Sequence, residues 1–145
     1  NGYKNYFIIF LINNNDRINY LTLCPTISIF SIKHMYDYFE WVLHNLNLNK
    51  KFLITGNEIV NPFELCISNC PTSYKSYVDE CIELFSNNKQ VFNVKKYDFL
   101  YVKNWMNILK QKIGTTQNNL ALDIWFDKMY EQKKDKNVYK LKGLL

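Results

Sequence analysis

Between Thr26 and Phe85 the chain alternates short β-branched runs with segments whose apolar residues recur at helical spacing, and this order constrains the fold more than any other feature. Thr26–Ile32 reads as a strand, with isoleucines at 27, 29 and 32 around Ser28, Phe30 and Ser31. Met35, Phe39, Val42 and Leu46 then lie on one face of a helix predicted over 35–48, with Asp37, Glu40, His44 and Asn45 toward water. Lys51–Val60 reads as the next strand, with Gly56 as a bulge or close-approach point and Pro62 as its stop. A further helix is expected from Pro71, capped by Thr72 and Ser73, with Tyr74, Val78, Cys81, Ile82 and Phe85 as its apolar stripe. The 14-residue segment 35–48 is long enough for a crossover helix and too long for a hairpin, so the strands flanking it are expected to be parallel.

Upstream, Tyr6–Ile12 is apolar throughout and stopped by Asn13–Asp16, which predicts a buried strand in the same sheet. Downstream of Asn88 the chain reads as helical. Tyr97, Tyr101, Trp105, Ile108 and Lys112 mark one face, with Gly114 as a left-handed cap. Thr115 or Thr116 caps a last helix that buries Leu122, Trp125, Phe126, Met129 and Tyr130. The expected division is β/α units over 1–88 and a helical extension over 89–145.

With 145 residues, 48% of them hydrophobic, the chain can bury a core. Only 4 glycines and 3 prolines argue against a turn-rich barrel. The net charge of +5 comes from scattered lysines and a single arginine, Arg17, and the densest stretch, Lys128–Lys142, also holds Glu131 and Asp135. That pattern reads as a solvated helix end and does not point to nucleic acid, whose readers cluster arginines for bidentate base contacts. The longest apolar run has seven residues against the ~20 that a membrane helix needs. Cys24, Cys66, Cys70 and Cys81 lack paired C-x-x-C spacing; buried, reduced thiols in a cytoplasmic protein are preferred over a zinc site or two disulfides.

Two stretches, PTISIFSIKHMYDYFEWVLHNL and NEIVNPFELCISNCPTSYKSYVDECIELF, resemble the C-terminal half of twitch-domain radical S-adenosylmethionine proteins. In that family a strand of the type Thr–Val–Ser–Ile–Tyr–Asn leads to a helix with an aromatic–Glu–Trp segment. The matching positions are Thr26, Ile27, Ser28, Ile29, Phe30 and Ser31, then Tyr38, Phe39, Glu40 and Trp41. The family's next strand carries an Asn and then two prolines, matched in spacing by Asn57, Pro62 and Pro71, with Leu65 and Ile67 as apolar positions between them; Asp127, Lys128 and Asn137 echo its end. Ser31 replaces the usual Asn, Cys70 an apolar residue, and the family's Arg near the end is absent.

The resemblance implies the last strands of a partial parallel β/α barrel followed by a helical segment. It implies S-adenosylmethionine and a 4Fe–4S cluster in the full-length protein, an N-terminal half of the same protein as partner, and a small-molecule or peptide substrate. The C-x-x-x-C-x-x-C triplet that holds the family's cluster does not occur here: after Cys66 and Cys70 the third position falls on Ser73. This chain is therefore not expected to be catalytic alone. Ligand contacts in parallel β/α folds come from strand C-termini and the loops after them, so Ser28, Ser31, His34 and Asn57 are the candidate cofactor contacts, with Lys33 and Asn61 beside them. A non-catalytic, basic, aromatic-rich α/β interaction module is the other function class that fits.

Overall fold

A computed structural model of the chain describes residues 20–45, 51–89, 96–116, 119–133, 140 and 143. Its elements are β1 (Tyr20–Leu23), β2 (Thr26–Ile27), α1 (Met35–Asn45), β3 (Lys51–Ile54), β4 (Asn57–Glu58), α2 (Lys75–Asn87), α3 (Lys96–Lys112) and α4 (Asn119–Lys133). A 3₁₀ turn at Ile32–His34 leads into α1, and three more, Phe63–Leu65, Ile67–Asn69 and Thr72–Tyr74, join β4 to α2.

Strand β1 pairs with β3, and β2 with β4, both in parallel. The two pairs are one ladder. Leu23 faces Ile54, and three residues further on each strand Thr26 faces Asn57, so the register does not slip between them. Across the gap Thr55 N–H donates to the Leu23 carbonyl (2.8 Å), Asn57 N–H to Pro25 (3.1 Å) and Ile59 N–H to Ile27 (2.9 Å). Pro25 has no N–H to return to its neighbour, which interrupts the regular ladder without breaking the alignment. The parallel relation expected across the crossover helix is present. The expected strand over 51–60 is real but divided at Thr55–Gly56.

The structure departs from the expected elements at several points. Residues 26–32 are strand only at 26–27; Ser28–Ser31 form a turn, because both serines bond to local backbone instead of leaving it to the ladder. Strand β1 has no long apolar run and was not foreseen. On α3 the core face is Val102, Trp105, Met106, Leu109 and Ile113, whereas Tyr101 and Ile108 are about half exposed, at 52% and 49%. The helix carries apolar residues on two faces, and of the stripe expected to be buried Tyr101, Ile108 and Lys112 lie outward while Trp105 is buried. The Tyr6–Ile12 segment and Leu46–Leu48 lie outside the described residues.

Helix α1 buries Met35, Phe39 and Val42 as its spacing requires, with His44 exposed. Helix α2 buries Val78, Cys81 and Phe85, and Phe39 meets Phe85 edge-on at 4.9 Å between ring centroids. Neither Thr72 nor Ser73 caps α2 through its side chain; a 3₁₀ turn runs into the helix and the Lys75 N–H is satisfied by backbone carbonyls of Thr72 and Ser73. Gly114 has φ +73° just past α3, as a left-handed cap requires, and Ile113 N–H closes onto the Leu109 carbonyl. No described helix is long and apolar enough to cross a membrane.

The β/α part and α3 share one core, to which Leu23, Ile27 and Ile54 contribute from the strands and Val102, Met106 and Leu109 from α3. Gly56 is a close-approach point: a Cβ there would lie 1.6 Å from a ring carbon of Trp105, so the indole rests directly on strand backbone. Ion pairs add two ties from α3, Lys112 to both oxygens of Glu58 on β4 (2.9 and 2.8 Å) and Lys110 to Asp79 on α2 (2.6 Å). Both are solvent-facing and set orientation more than stability. Replacing Gly56 with Ala forces the indole out of its seat and should cost about 1–3 kcal/mol in urea denaturation. Most of that cost should vanish in a Trp105→Leu background; an equal loss in both backgrounds would show that the indole is not the obstacle.

Candidate functional site

Alternation along the ladder gives its two faces different chemistry. Leu23, Ile27 and Ile54 point into the core, with Gly56 under Trp105 on the same side. The opposite face holds Thr22, Cys24, Thr26 and Asn57, all exposed, and Thr55, half-buried. Parallel sheets are ordinarily covered on both faces. The described side chains of this face present hydroxyl, thiol and amide groups.

At the C-terminal end of β2 the chain turns through Ser28–Ser31. The Ser28 N–H donates to Ser31 Oγ (2.8 Å), Ser31 Oγ–H reaches the Thr26 carbonyl (3.0 Å), and the Phe30 N–H donates to Ser28 Oγ (3.2 Å). The Ser28 carbonyl accepts from the Ser31 and Ile32 N–H groups, both at 3.1 Å. Ser28 is buried at 7% exposure, and its polarity is answered inside the turn. The two serines therefore shape the strand end, while Asn57 and the exposed His34 remain outward at the same end of the ladder. Thr26, whose carbonyl Ser31 holds, faces Asn57 across the register.

After β4 comes a staircase with a four-residue step. Pro62, Cys66 and Cys70 have nearly identical extended backbone (φ −67°, −67°, −65°; ψ 145°, 146°, 148°), each ahead of or closing a 3₁₀ turn. Asn69 ties the steps together, its Nδ2 donating to the Phe63 carbonyl at 2.7 Å. Asn69 Oδ1 is buried without a hydrogen-bond partner. The Ile29 N–H donates to the Leu65 carbonyl (3.1 Å), which fastens the turn after β2 to the loop after β4.

A concavity of about 350 Å³ opens between α1 and α2 and is lined by Tyr36, Glu80, Glu83, Leu84 and Asn87. The Tyr36 hydroxyl donates to Glu40 Oε1 (3.2 Å), and the negative charge of Glu40 raises its pKa above the ordinary tyrosine value, with desolvation and Glu80 adding to the shift. Sequence spacing does not reveal this groove, because Tyr36 comes from α1 and Glu80 and Glu83 from α2, and they come together only after packing.

The cysteines do not fit the cluster that the resemblance implies for the full-length protein. Cys70 and Cys81 are buried, and burial alone pushes the Cys70 thiol up to about 12; Cys81 reaches about 12 by burial first and by the charges of Glu80 and Asp37. Cys66 is raised by burial and then by Glu58 and Glu64, and Cys24 is exposed. Among the described residues no three His, Cys, Asp or Glu side chains converge as a metal-binding group. Thiols held neutral are poor ligands and poor nucleophiles.

Three outcomes follow. Ser31→Ala removes the acceptor for the Ser28 N–H and the donor to Thr26, and should lower stability by about 1–2 kcal/mol in thermal unfolding. Because folding raises the Cys70 and Cys81 thiols, their contribution is complete below the unfolded value of 9.0 and is lost as pH climbs from there toward about 12. Denaturation midpoints should fall over that window and fall less in Cys81→Ala. A thiol reagent at neutral pH should label Cys24 first and Cys70 and Cys81 only on unfolding.

No family model matches the chain, and searches of curated proteins and of solved structures find no match.

Proposed function

We propose that this chain is the C-terminal portion of a twitch-type radical S-adenosylmethionine protein, contributing the last strands of a partial parallel barrel and a helical tail. The observation that supports the reading is the parallel β–α–β ladder whose described outward side chains, Thr22, Cys24, Thr26 and Asn57, are polar and exposed, together with the Asn57, Pro62 and Pro71 spacing that begins in its last strand. In such a barrel the core-facing side of the ladder is the outer, helix-covered side. The Thr22, Cys24, Thr26, Thr55 and Asn57 face would then be the inner wall.

On this reading Asn57 and Thr26 are the hydrogen-bonding contacts toward S-adenosylmethionine, with His34 at the rim. Ser28 and Ser31 act indirectly by fixing the strand end. The cluster that cleaves the cofactor would be held by cysteines upstream, in the N-terminal half, and the substrate would be a small molecule or peptide admitted between the halves. A basic, aromatic-rich interaction module is the second reading, favoured by the outward stripe of Leu100, Tyr101 and Ile108 on α3.

The coding sequence ahead of Asn1 separates the two at once, since the first requires an in-frame C-x-x-x-C-x-x-C triplet. For the protein itself, calorimetric titration of S-adenosylmethionine into this chain should show weak binding or none, because half of the barrel's contacts are missing. Joined to its upstream half and reconstituted anaerobically, it should bind saturably, and Asn57→Ala should weaken that binding about tenfold. Tight binding to the present chain that survives Asn57→Ala and Thr26→Ala would move the site elsewhere.

A further inference from the structure

The first strand of the ladder has an open edge. In a parallel pair the backbone groups of alternate residues point to opposite sides of the strand. The register, with the bonds from the N–H groups of Thr55, Asn57 and Ile59, turns the carbonyls of Leu23, Pro25 and Ile27 toward β3 and β4. The N–H and C=O groups of Thr22, Cys24 and Thr26 therefore point the other way. The Thr26 carbonyl accepts from Ser31 Oγ (3.0 Å), and the remaining groups of this edge pair with no backbone among the described residues. Thr22, Cys24 and Thr26 are exposed in the folded chain. Sheet edges are ordinarily guarded by proline, by charged side chains or by a bulge. Here Pro25 turns its missing N–H inward to the ladder, the register does not slip, and residues 22–26 carry no charge.

We propose that this edge pairs antiparallel with the same edge of a second copy, about a twofold axis at Cys24, so that two ladders become one four-stranded sheet. The symmetry of the edge selects this occupant. Thr22 faces Thr26 of the second copy, Cys24 faces its own counterpart, and each of these pairs exchanges N–H···O=C bonds in both directions. Pro25 falls opposite Leu23 of the second copy, at a position that exchanges none, so its lack of a donor costs the pairing nothing. Such an isologous contact closes on itself and leaves no further edge of the same kind. With about five residues from each copy it is smaller than a standard interface, so the dimer is weak and forms with rising concentration. The inference does not rest on the cofactor reading: the edge is open whatever the polar face binds.

Sedimentation equilibrium of the intact, reduced chain tests it. A monomer–dimer equilibrium is expected, and added salt should strengthen it, since each copy carries a net charge of +5. Thr22→Pro removes an outward donor that the ladder to β3 does not use, and should raise the dissociation constant about tenfold. Cys24→Lys, which sets two like charges across the axis on an exposed position, gives the same direction of change should the proline variant not fold. Mild oxidation reads the register. Cys24 should cross-link to its counterpart, whereas Thr22→Cys in a Cys24→Ser background should not, because residue 22 lies beside residue 26 of the second copy. A chain that stays monomeric up to about 1 mM would overturn the proposal. So would a dimer that survives Cys24→Lys and is lost on Ile108→Lys, which would place the contact on α3, or equally fast cross-linking from positions 22 and 24.

Discussion

The indole of Trp105 resting on Gly56 joins the two halves of this structure. It is a contact between a large side chain and bare backbone, so it demands a glycine for room and not for its dihedral freedom. The rest of the α3 core face, Val102, Met106, Leu109 and Ile113, belongs to the same buried core as Leu23, Ile27 and Ile54. The Lys112–Glu58 pair then lands two residues beyond Gly56 on the adjoining strand. With one face of the ladder turned to the core in this way, the described side chains of the other are threonine, cysteine and asparagine. The polarity of the candidate site is thus the complement of the packing behind it.

What the sequence shows and what it conceals follow from how local each determinant is. Met35, Phe39 and Val42 lie on one helix and meet one core, so spacing alone reads them correctly. The parallel relation was also legible, because a long amphipathic segment between two strands leaves few topologies. Strand β1 was hidden: four residues, Tyr20–Leu23, carry no periodic signal, and pairing with β3 is what makes them a strand. On α3 the signal was present twice, and periodicity has no means of ranking Tyr101 and Ile108 against Val102 and Leu109. Ser28 and Ser31 were recognisable as polar residues in need of partners. That they would partner each other depended on the chain turning between them.

The same logic separates chemistry from architecture in the cysteines. Three of the four sit near β4 and α2, close enough in sequence to suggest a metal or redox role. Packing sends Cys70 and Cys81 inward, where desolvation disfavours the thiolate that either role would need. The groove lined by Tyr36, Glu80 and Glu83 is the reverse case, a charged site assembled from residues without sequence proximity.

The unslipped register of the ladder also bears on the order in which the chain folds. Each rung joins residues separated by the whole of α1 and its flanking loops, and closing a loop of about 30 residues costs roughly 3 kcal/mol of chain entropy before the first strand contact is made. The contact of α2 with α3 closes over a shorter stretch and buries Phe85, Val78 and Leu109 in the same step. Loop-closure entropy therefore favours the helical pair over the strand ladder as the contact made first, and at Pro25 the ladder gains no donor.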